Sequence, residues 1–213
     1  MGKNRADLEA LLAAHNRWFR LEGGGQELVL KGEDLRGIDL SGADLAGVVL
    51  SKVRLDGANL AGADLGATFA GGTSFVGADL SRAHIVKADF PAVVARDATF
   101  TDANLMRTGF WEADLRGANF DRASLTKTRF GRADLRGCSF RGARFDRTSM
   151  DDAMFRSLDA AGASGTILSG PASIETPDGL HSANEDEVLA YLRAAGADVS
   201  FWLPPQAPVP SGP

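Results

Sequence analysis

Large apolar side chains recur at every fifth position over more than half of this chain. The multiples of five from 30 to 160 give 27 positions, and 24 of them hold Leu, Phe, Ile or Met. The position two residues earlier is Ala, Val, Thr or Cys in 23 of the 27 cases. The other three positions of each unit carry nearly all of the charged residues in this segment. The register does not slip between residues 28 and 160.

A period of five matches neither the 3.6-residue period of a helix nor the two-residue period of a long strand. It indicates a chain that turns a corner every five residues. The large residue and the one two before it point inward, and the other three point outward. Four such sides close a square coil of 20 residues, and stacked coils pair through their backbones at about 4.8 Å. The pattern predicts nearly seven coils and a rod about 32 Å long.

Residues 20 apart should therefore lie above one another. Two facing columns carry Phe in the later coils: Phe90, Phe110 and Phe130 in one, and Phe100, Phe120 and Phe140 in the other. We expect two stacked Phe ladders inside the rod. Ala70 and Ala95 leave less volume in the interior, so Phe69 is expected to turn inward. This exchange predicts irregular backbone between Phe69 and Ala95.

The unit Ala-(Asp/Asn)-Leu-X-X resembles the repeat of the pentapeptide-repeat family. Good examples are Ala43-Asp44-Leu45-Ala46-Gly47 and Ala113-Asp114-Leu115-Arg116-Gly117. The resemblance covers residues 28–160. It implies an all-β solenoid, a right-handed quadrilateral β-helix of nearly seven coils, to which the two ends add capping α-helices.

The two open ends of a solenoid have to be capped. Residues 1–27 are predicted to form an N-terminal capping helix and turn. The apolar stripe of this helix is Leu8, Leu11, Leu12, His15, Trp18 and Phe19. Residues 28–160 form the solenoid and residues 161–183, rich in Gly, Ser and Pro, are interpreted as a linker. A second helix is predicted over 184–198, with a capping box at Asn184 and Glu187. Residues 199–213 are predicted to form an aromatic, Pro-rich tail.

The C-terminal helix and tail bring together an apolar and aromatic cluster. Its members are Val188, Tyr191, Leu192, Phe201 and Trp202. The cluster either caps the last coil or joins two subunits tail to tail. Members of the family that this chain resembles often dimerise through the C-terminal end, and we expect both roles here.

Composition excludes several classes of protein. The chain has 23 basic and 28 acidic residues, a net charge of -5, and a pI near 5.2, which argue against an overall polybasic nucleic-acid binder. One Cys excludes an internal disulfide framework and a Cys-rich zinc site. No apolar run approaches the length that a membrane span requires, so no membrane-spanning helix is expected. We predict a cytoplasmic protein.

Catalytic chemistry is not indicated. His84 is predicted to point outward with no Ser or Cys nucleophile in its coil, and the Asp residues occupy turn positions where they bond local backbone. Cys138 lies at a small inward position, which favours packing over reactivity. We therefore predict a protein that is not an enzyme, with no catalytic residues, no metal and no cofactor.

The outward residues should then carry the function. Four cations follow one another at intervals of one coil, and we call them the basic ladder: Lys87, Arg107, Lys127 and Arg147. Beside them are outward apolar residues that form a candidate contact patch: Val86, Pro91, Met106 and Trp111. Four carboxylates of the early coils form a candidate acidic patch: Asp39, Asp44, Asp64 and Asp79. A second ladder of Arg96, Arg116, Arg136 and Arg156 is expected to be neutralised by Asp114 and Asp134.

Two functions compete for this surface. The family resemblance implies a DNA mimic that protects or modulates DNA gyrase or topoisomerase IV, in antibiotic resistance or self-immunity. The alternative is an interaction scaffold that binds a protein partner through the candidate contact patch around Trp111 and through the basic ladder. Residues 30–160 hold 18 basic and 18 acidic residues, which weakens the DNA-mimic hypothesis. Direct nucleic-acid binding is not expected.

Overall fold

The computed structural model describes residues 5–168 and 170–203, which form a right-handed quadrilateral β-solenoid of about seven turns with two helices. Its helices and strands are α1 (Arg5–Phe19), β1 (Val29–Lys31), β2 (Val49–Ser51), β3 (Ser124–Thr126), β4 (Arg144–Thr148), β5 (Met154–Phe155), β6 (Ser164–Ile167), β7 (Ala172–Thr176), β8 (Gly179–Ala183), α2 (Glu185–Ala194) and β9 (Asp198–Phe201). Within these ranges no helix is both long and apolar enough to cross a membrane.

The coil has the length that the period predicts. Strands β1 and β2 pair in parallel with Leu30 opposite Leu50, and β3 and β4 pair with Leu125 opposite Phe145. Between these strands, single parallel bridges join outward residues of successive coils along the solenoid, as in Asp34–Arg54. This pairing fixes four sides per coil and stacks the outward residues into straight columns.

Each corner is a tight turn whose third residue has a positive φ, as in a type II turn. At one corner the Ala43 amide donates to the Leu40 carbonyl at 3.0 Å, and Gly42 has a φ of 65°. Residues other than Gly also occupy this position, Lys52 and Arg82 among them, at a cost of roughly 1–2 kcal/mol each. These side chains project from the corners, so corners carry surface chemistry while the sides carry the core.

The interior holds the two predicted Phe ladders. Phe120 stacks on Phe100 at 4.8 Å and on Phe140 at 5.1 Å between ring centroids, with the rings nearly parallel. Across the interior Phe120 meets Phe110 edge to face at 6.3 Å and 77°. Both arrangements are the favoured geometries of aromatic pairs. The ladders therefore confirm the four-sided register.

The predicted irregularity between Phe69 and Ala95 is wrong. Phe69 points outward with 41% of its surface exposed, and the backbone ladder runs through it without a break. Phe75 instead fills the space beside Ala70 and stacks on Phe90 at 5.6 Å. Each small Ala has a Phe on a neighbouring side of its coil, so the interior volume is maintained without a bulge.

Helix α1 covers the N-terminal end with part of its predicted stripe. Leu8, Leu12 and His15 are buried, whereas Leu11, Trp18 and Phe19 remain exposed. The Leu28 amide donates to Nδ1 of His15 at 2.9 Å, so Nε2 is left to donate to the Ala46 carbonyl at 2.8 Å. His15 thus serves as a structural link between the helix and the first coil.

The interpretation of residues 161–183 as a linker is wrong. Strand β6 continues the solenoid by pairing with β4, and β7 pairs with β5 in parallel before forming an antiparallel hairpin with β8. The backbone groups of the last coil need partners, and these strands supply them. Gly165 permits the close approach of β6, because a Cβ there would lie 1.8 Å from the Phe145 carbonyl oxygen.

Helix α2 is shorter than the predicted 184–198. It ends at Ala194, and Gly196 with a φ of 96° turns the chain back into β9, which pairs with β6. The capping box is present, because the side chains of Asn184 and Glu187 each accept from the other residue's amide. Phe201 lies in β9, and the Pro-rich part of the predicted tail, 204–213, lies outside the described residues.

Candidate functional site

One side of the solenoid collects most of the predicted interaction residues, and we call it the Trp111 face. Its central outward column is Asp89, Gly109, Arg129 and Ser149, joined by consecutive bridges. The basic ladder runs along one edge of the face. Pro91, Trp111, Gly131 and Asp151 run along the other edge.

The basic ladder occupies the positive-φ position at the same corner of four successive coils. Its φ values are 58°, 62°, 55° and 52° for Lys87, Arg107, Lys127 and Arg147. At two other corners the sign of the charge alternates along the rod: Arg82, Asp102 and Arg122 at one, and Glu112, Arg132 and Asp152 at the other. Only the alternating corners gain ion pairs between stacked neighbours, at 2.8 Å for Asp102–Arg122 and 2.9 Å for Glu112–Arg132, among the corner residues described.

Most of the ladder has no ion-paired carboxylate among the described residues. In the part of the chain that the structure describes, no carboxylate lies within ion-pair distance of Lys87, Arg107 or Lys127, nor of the neighbouring Arg129. Arg147 pairs with Asp146 at 3.1 Å. Like charges stacked at strand spacing repel one another. The ladder is therefore a source of positive potential that the fold itself does not need.

The Trp111 ring occupies the space that a side chain at Gly131 would fill. A Cβ at Gly131 would lie 2.6 Å from the indole ring, so only Gly at this position leaves room for it. The ring stays 50% exposed, and the Arg132 guanidinium lies 5.8 Å from its centroid. A shallow depression of about 390 Å³ lies between Trp111 and Arg129, with Gly109 in its floor.

A larger groove of about 660 Å³ follows the basic ladder. Its lining residues are Lys87, Ala88, Asp89, Arg107, Lys127, Arg129, Arg147, Leu168 and Trp202. The Arg147 guanidinium lies 5.8 Å from the Trp202 ring centroid. Trp202, predicted in the terminal cluster, thus closes one end of this groove. Sequence reasoning missed this placement because the pairing of β9 with β6 is long-range.

The predicted apolar patch is divided in two. Val86 and Met106 share the corner of the basic ladder and are half-buried, while Pro91 and Trp111 lie on the opposite edge of the face. The polar central column separates them. Phe69 was missed as a surface residue; its ring lies over Gly71, because a Cβ there would be 2.6 Å from it. The sequence signal for this placement was a large aromatic residue at an outward position of the repeat, two residues before a Gly.

The acidic patch lies on two adjacent sides, with Asp44 bridged to Asp64 in one column and Asn59 between Asp39 and Asp79 in the other. Each carboxylate accepts from the amide two residues on, at 2.9 Å from Ser41, 3.3 Å from Ala46, 2.8 Å from Gly66 and 2.9 Å from Ser81. Arg20, which directly follows α1, also pairs with Asp44 at 2.7 Å. These carboxylates stabilise turns, and the patch is partly neutralised.

The second arginine ladder is neutralised, as expected. Arg96 and Arg116 reach Asp114 at 2.6 and 2.7 Å, and their hydrogen bonds, chiefly that from Arg116, lower the pKa of Asp114 to about 2. Glu175 of β7 adds a carboxylate that the sequence did not foreshadow, 2.7 Å from Arg136 and 2.8 Å from Arg156. The hairpin is thereby fastened to the ladder.

The terminal cluster packs over the last coil. Val188 and Leu192 are buried, and Tyr191 stacks on Phe155 at 5.8 Å while its hydroxyl accepts from the Leu158 amide at 3.4 Å. Phe201 is half-buried beside them. The buried members are occupied within one chain, which leaves only the exposed surface of this end for a second subunit.

Reactive groups are few in the described part of the chain. No group of three or more His, Cys, Asp and Glu there could hold a metal ion. The Cys138 thiol is buried, which raises its pKa well above the ordinary range, and it donates to the Leu115 carbonyl at 3.0 Å. His84 is exposed, with Asn104 at 3.4 Å.

Comparisons with known proteins identify similar solved structures and a matching family model. Full-length QnrB1, a plasmid-mediated fluoroquinolone resistance protein, is 20% identical over 68% of this chain and 85% of its own, with a TM-score of 0.42. HetL is a pentapeptide repeat protein from the cyanobacterium Nostoc that is involved in heterocyst differentiation regulation. It is 20% identical over 80% of this chain and 88% of its own, with a TM-score of 0.26. No curated protein matches. The pentapeptide-repeat model matches in eight copies over 34–68, 73–111, 103–142 and 129–170, and the chain therefore belongs to the pentapeptide-repeat family.

Proposed function

We propose that this protein is a non-catalytic binding protein whose Trp111 face binds a protein partner. The observation that carries the proposal is the basic ladder, four stacked cations of one sign, three of them without a counter-charge in the described chain. Elsewhere the same chain alternates its corner charges. A partner with complementary charge would relieve the repulsion within the ladder.

The aromatic residues beside the ladder support the same proposal. Trp and Arg are the residue types that most often dominate binding energy at protein interfaces. Trp111 is half exposed on one edge of the face, and Trp202 closes the groove at its end. Gly131 leaves room for the Trp111 ring, and the Arg132 guanidinium lies 5.8 Å from its centroid.

A photo-crosslinking residue tests the face directly. Placed at Met106, beside the basic ladder, it should crosslink one or a few proteins in a lysate of the source organism. Placed at Thr99, on the opposite face, it should not. The Trp111→Ala variant should reduce the Met106 crosslinks severalfold while thermal unfolding is unchanged. Equal crosslinking from both faces would reject the Trp111 face as the binding surface.

The acidic patch favours a second candidate, protection or modulation of DNA gyrase or topoisomerase IV by mimicry of DNA. The placement of Asp44 and Asp64 in one column, with Asp39 and Asp79 on the next side, supports it. The neutral solenoid and the backbone bonds of these carboxylates weigh against it. In a supercoiling assay with and without a fluoroquinolone, this candidate predicts protection that is lost in Asp44→Asn/Asp64→Asn. Neither protection nor inhibition at micromolar protein would exclude it.

The C-terminal end is also proposed to contact a second copy of the chain. Leu180 in the β7–β8 hairpin and Leu203 after β9 are exposed apolar residues at that end. Sedimentation should then give a dimer that Leu180→Asp shifts toward monomer. A monomer at high concentration in the unaltered protein would remove this proposal without affecting the Trp111 face.

A further inference from the structure

We infer that the groove along the basic ladder receives an acidic α-helix that lies parallel to the rod axis. This inference rests on the proposed function and specifies the partner of the Trp111 face. It draws on the spacing of the cations, the lack of an ion-paired carboxylate at three of the four, and the apolar residues beside them.

The spacing favours a helix over an extended strand. The Lys87, Arg107 and Lys127 amides each donate to the corner of the next coil at 2.7–2.9 Å, so successive rungs are one strand spacing apart. Four rungs at about 4.8 Å span about 14 Å. Three turns of an α-helix span about 16 Å, a mismatch that long Lys and Arg side chains absorb. Same-face residues of a strand are about 6.7 Å apart and lose register sooner.

The sign of the charge defines which helix fits. Acidic residues at i, i+4, i+7 and i+11 form one stripe along a helix. Such a stripe would place about one carboxylate opposite each rung. The ladder is straight because the columns it borders are fixed by backbone bridges between successive coils. A helix whose acidic residues were spread around its circumference would meet fewer cations.

Apolar neighbours give the helix a second requirement. Val86 and Met106 line the outer side of the ladder, and Leu168 and Trp202 lie in the groove itself. An amphipathic helix offers apolar residues beside its acidic stripe. Asp89 lines the groove and Asp146 borders it, and both would repel the acidic groups of a helix and of nucleic acid alike. Nucleic acid suits the groove less well because its phosphate backbone offers no apolar side chains to Leu168.

Two synthetic peptides of one composition test the inference. Each has about 18 residues, or five helical turns. The first places Glu at i, i+4, i+7 and i+11 with Leu along one side, and the second permutes these residues around the helix. By fluorescence anisotropy, the facial peptide should bind roughly tenfold more tightly than the permuted one. A short DNA duplex serves as a third probe.

Matched variants locate the binding. Arg107→Gln/Lys127→Gln removes two rungs and should weaken the facial peptide roughly tenfold. Arg82→Gln/Arg122→Gln makes the same change in charge at the same turn position of another corner, where Asp102 supplies a counter-charge, and should change affinity less than twofold. Circular dichroism of the peptide should show helix gained on binding.

Three results would overturn the inference. Equal affinity for both peptides rejects the helical register, tight binding of DNA alone makes nucleic acid the occupant, and equal loss in both double variants removes the ladder from the site. The proposed function fails by a different measurement. Crosslinks at Met106 that depend on Trp111, together with no binding of the facial peptide, would leave the Trp111 face as the binding surface. They would show that its partner is not an acidic helix.

Discussion

At the scale of the residue, the inward position beside each large side chain is where polarity is tolerated. Five Thr residues and one Cys occupy it and turn their polar atoms to a carbonyl 23 residues earlier: Thr68, Thr73, Thr108, Thr128, Thr148 and Cys138. Such a bond satisfies both the buried donor and the acceptor. The position therefore selects for small size, and a hydroxyl or thiol is accepted because a carbonyl is within reach.

Cys138 should accordingly behave as a structural residue. We expect Cys138→Thr to keep the free energy of unfolding within about 1 kcal/mol, because a Thr hydroxyl can make the same bond. Cys138→Leu should lose about 1–3 kcal/mol by overpacking. Denaturant unfolding measures both. A thiol reagent should label Cys138 only after unfolding; stoichiometric labelling of the native protein would contradict its burial.

Residue identity alone predicted inward and outward positions well. The five-residue period placed every large centre in the core, and it also assigned Phe69 to the outside. The error came from overriding that assignment with a volume argument about Ala70 alone. The volume is shared between neighbouring sides of a coil, as Phe75 and Phe90 show, and a single column does not reveal it.

At the scale of the element, each coil depends on its aromatic stack. Phe120→Ala should cost about 3–5 kcal/mol, because the ring is fully buried between two others and leaves a cavity. Phe69→Ala is the matched control, since the same atoms are removed from an exposed ring, and it should cost less than about 1 kcal/mol. Thermal unfolding compares them. Equal losses would mean that Phe69 is not on the surface.

The second arginine ladder should confer a pH dependence on its side of the solenoid. Its arginines hold the pKa of Asp114 at about 2, below its ordinary 3.8, so the stabilisation is present above pH 3.8 and is lost as pH falls through 2. Asp114→Asn should lower stability at pH 7 by no more than about 1 kcal/mol, because solvent screens the pair. The difference from the unaltered protein should shrink as pH falls toward 2 and vanish below it.

A matched variant separates this effect from the loss of a turn bond. Asp79 accepts from the Ser81 amide, and an Asn side chain can do the same, as Asn59 does for Ala61. Asp79→Asn should therefore be nearly neutral at every pH, as chemical denaturation would show. A loss as large as that of Asp114→Asn would assign the effect to the turn and not to the ion pairs.

The C-terminal elements were the least predictable part of the fold. Gly, Ser and Pro between residues 161 and 183 are typical of a linker, yet they form strands because the last coil supplies an unpaired backbone edge. That edge exists only after the solenoid has folded, so no local pattern reports it. The capping box at Asn184 was predictable because it depends on a four-residue spacing alone.

At the scale of the whole molecule, charge is distributed unevenly along the chain. Residues 30–160 balance 18 basic against 18 acidic residues, while residues 161–213 hold one basic and six acidic residues. The net charge of -5 therefore belongs to the C-terminal appendage. The composition could not predict the basic ladder, because its cations are 20 residues apart in the sequence and become neighbours only when the coils stack.

The C-terminal cap should keep the rod from associating through its open end. Leu192→Asp puts a charge into the buried face of α2 and should expose the last coil, giving concentration-dependent association in light scattering. Ala190→Asp, on the exposed side of the same helix, should scatter light as the unaltered protein does. Association of neither variant would show that α2 is dispensable as a cap.

The stacking of outward residues into columns has a consequence for how such a protein can change by insertion and deletion. Losing one five-residue unit leaves every inward position inward, so the core survives. It also turns everything downstream by a quarter of a revolution, so a unit lost between Arg107 and Lys127 moves Lys127 and Arg147 away from Lys87 and Arg107. Duplicating a whole coil of 20 residues within the ladder keeps every column in register and lengthens the ladder by one cation. Lineages that retain the ladder should therefore vary in length within it by whole coils and not by single units.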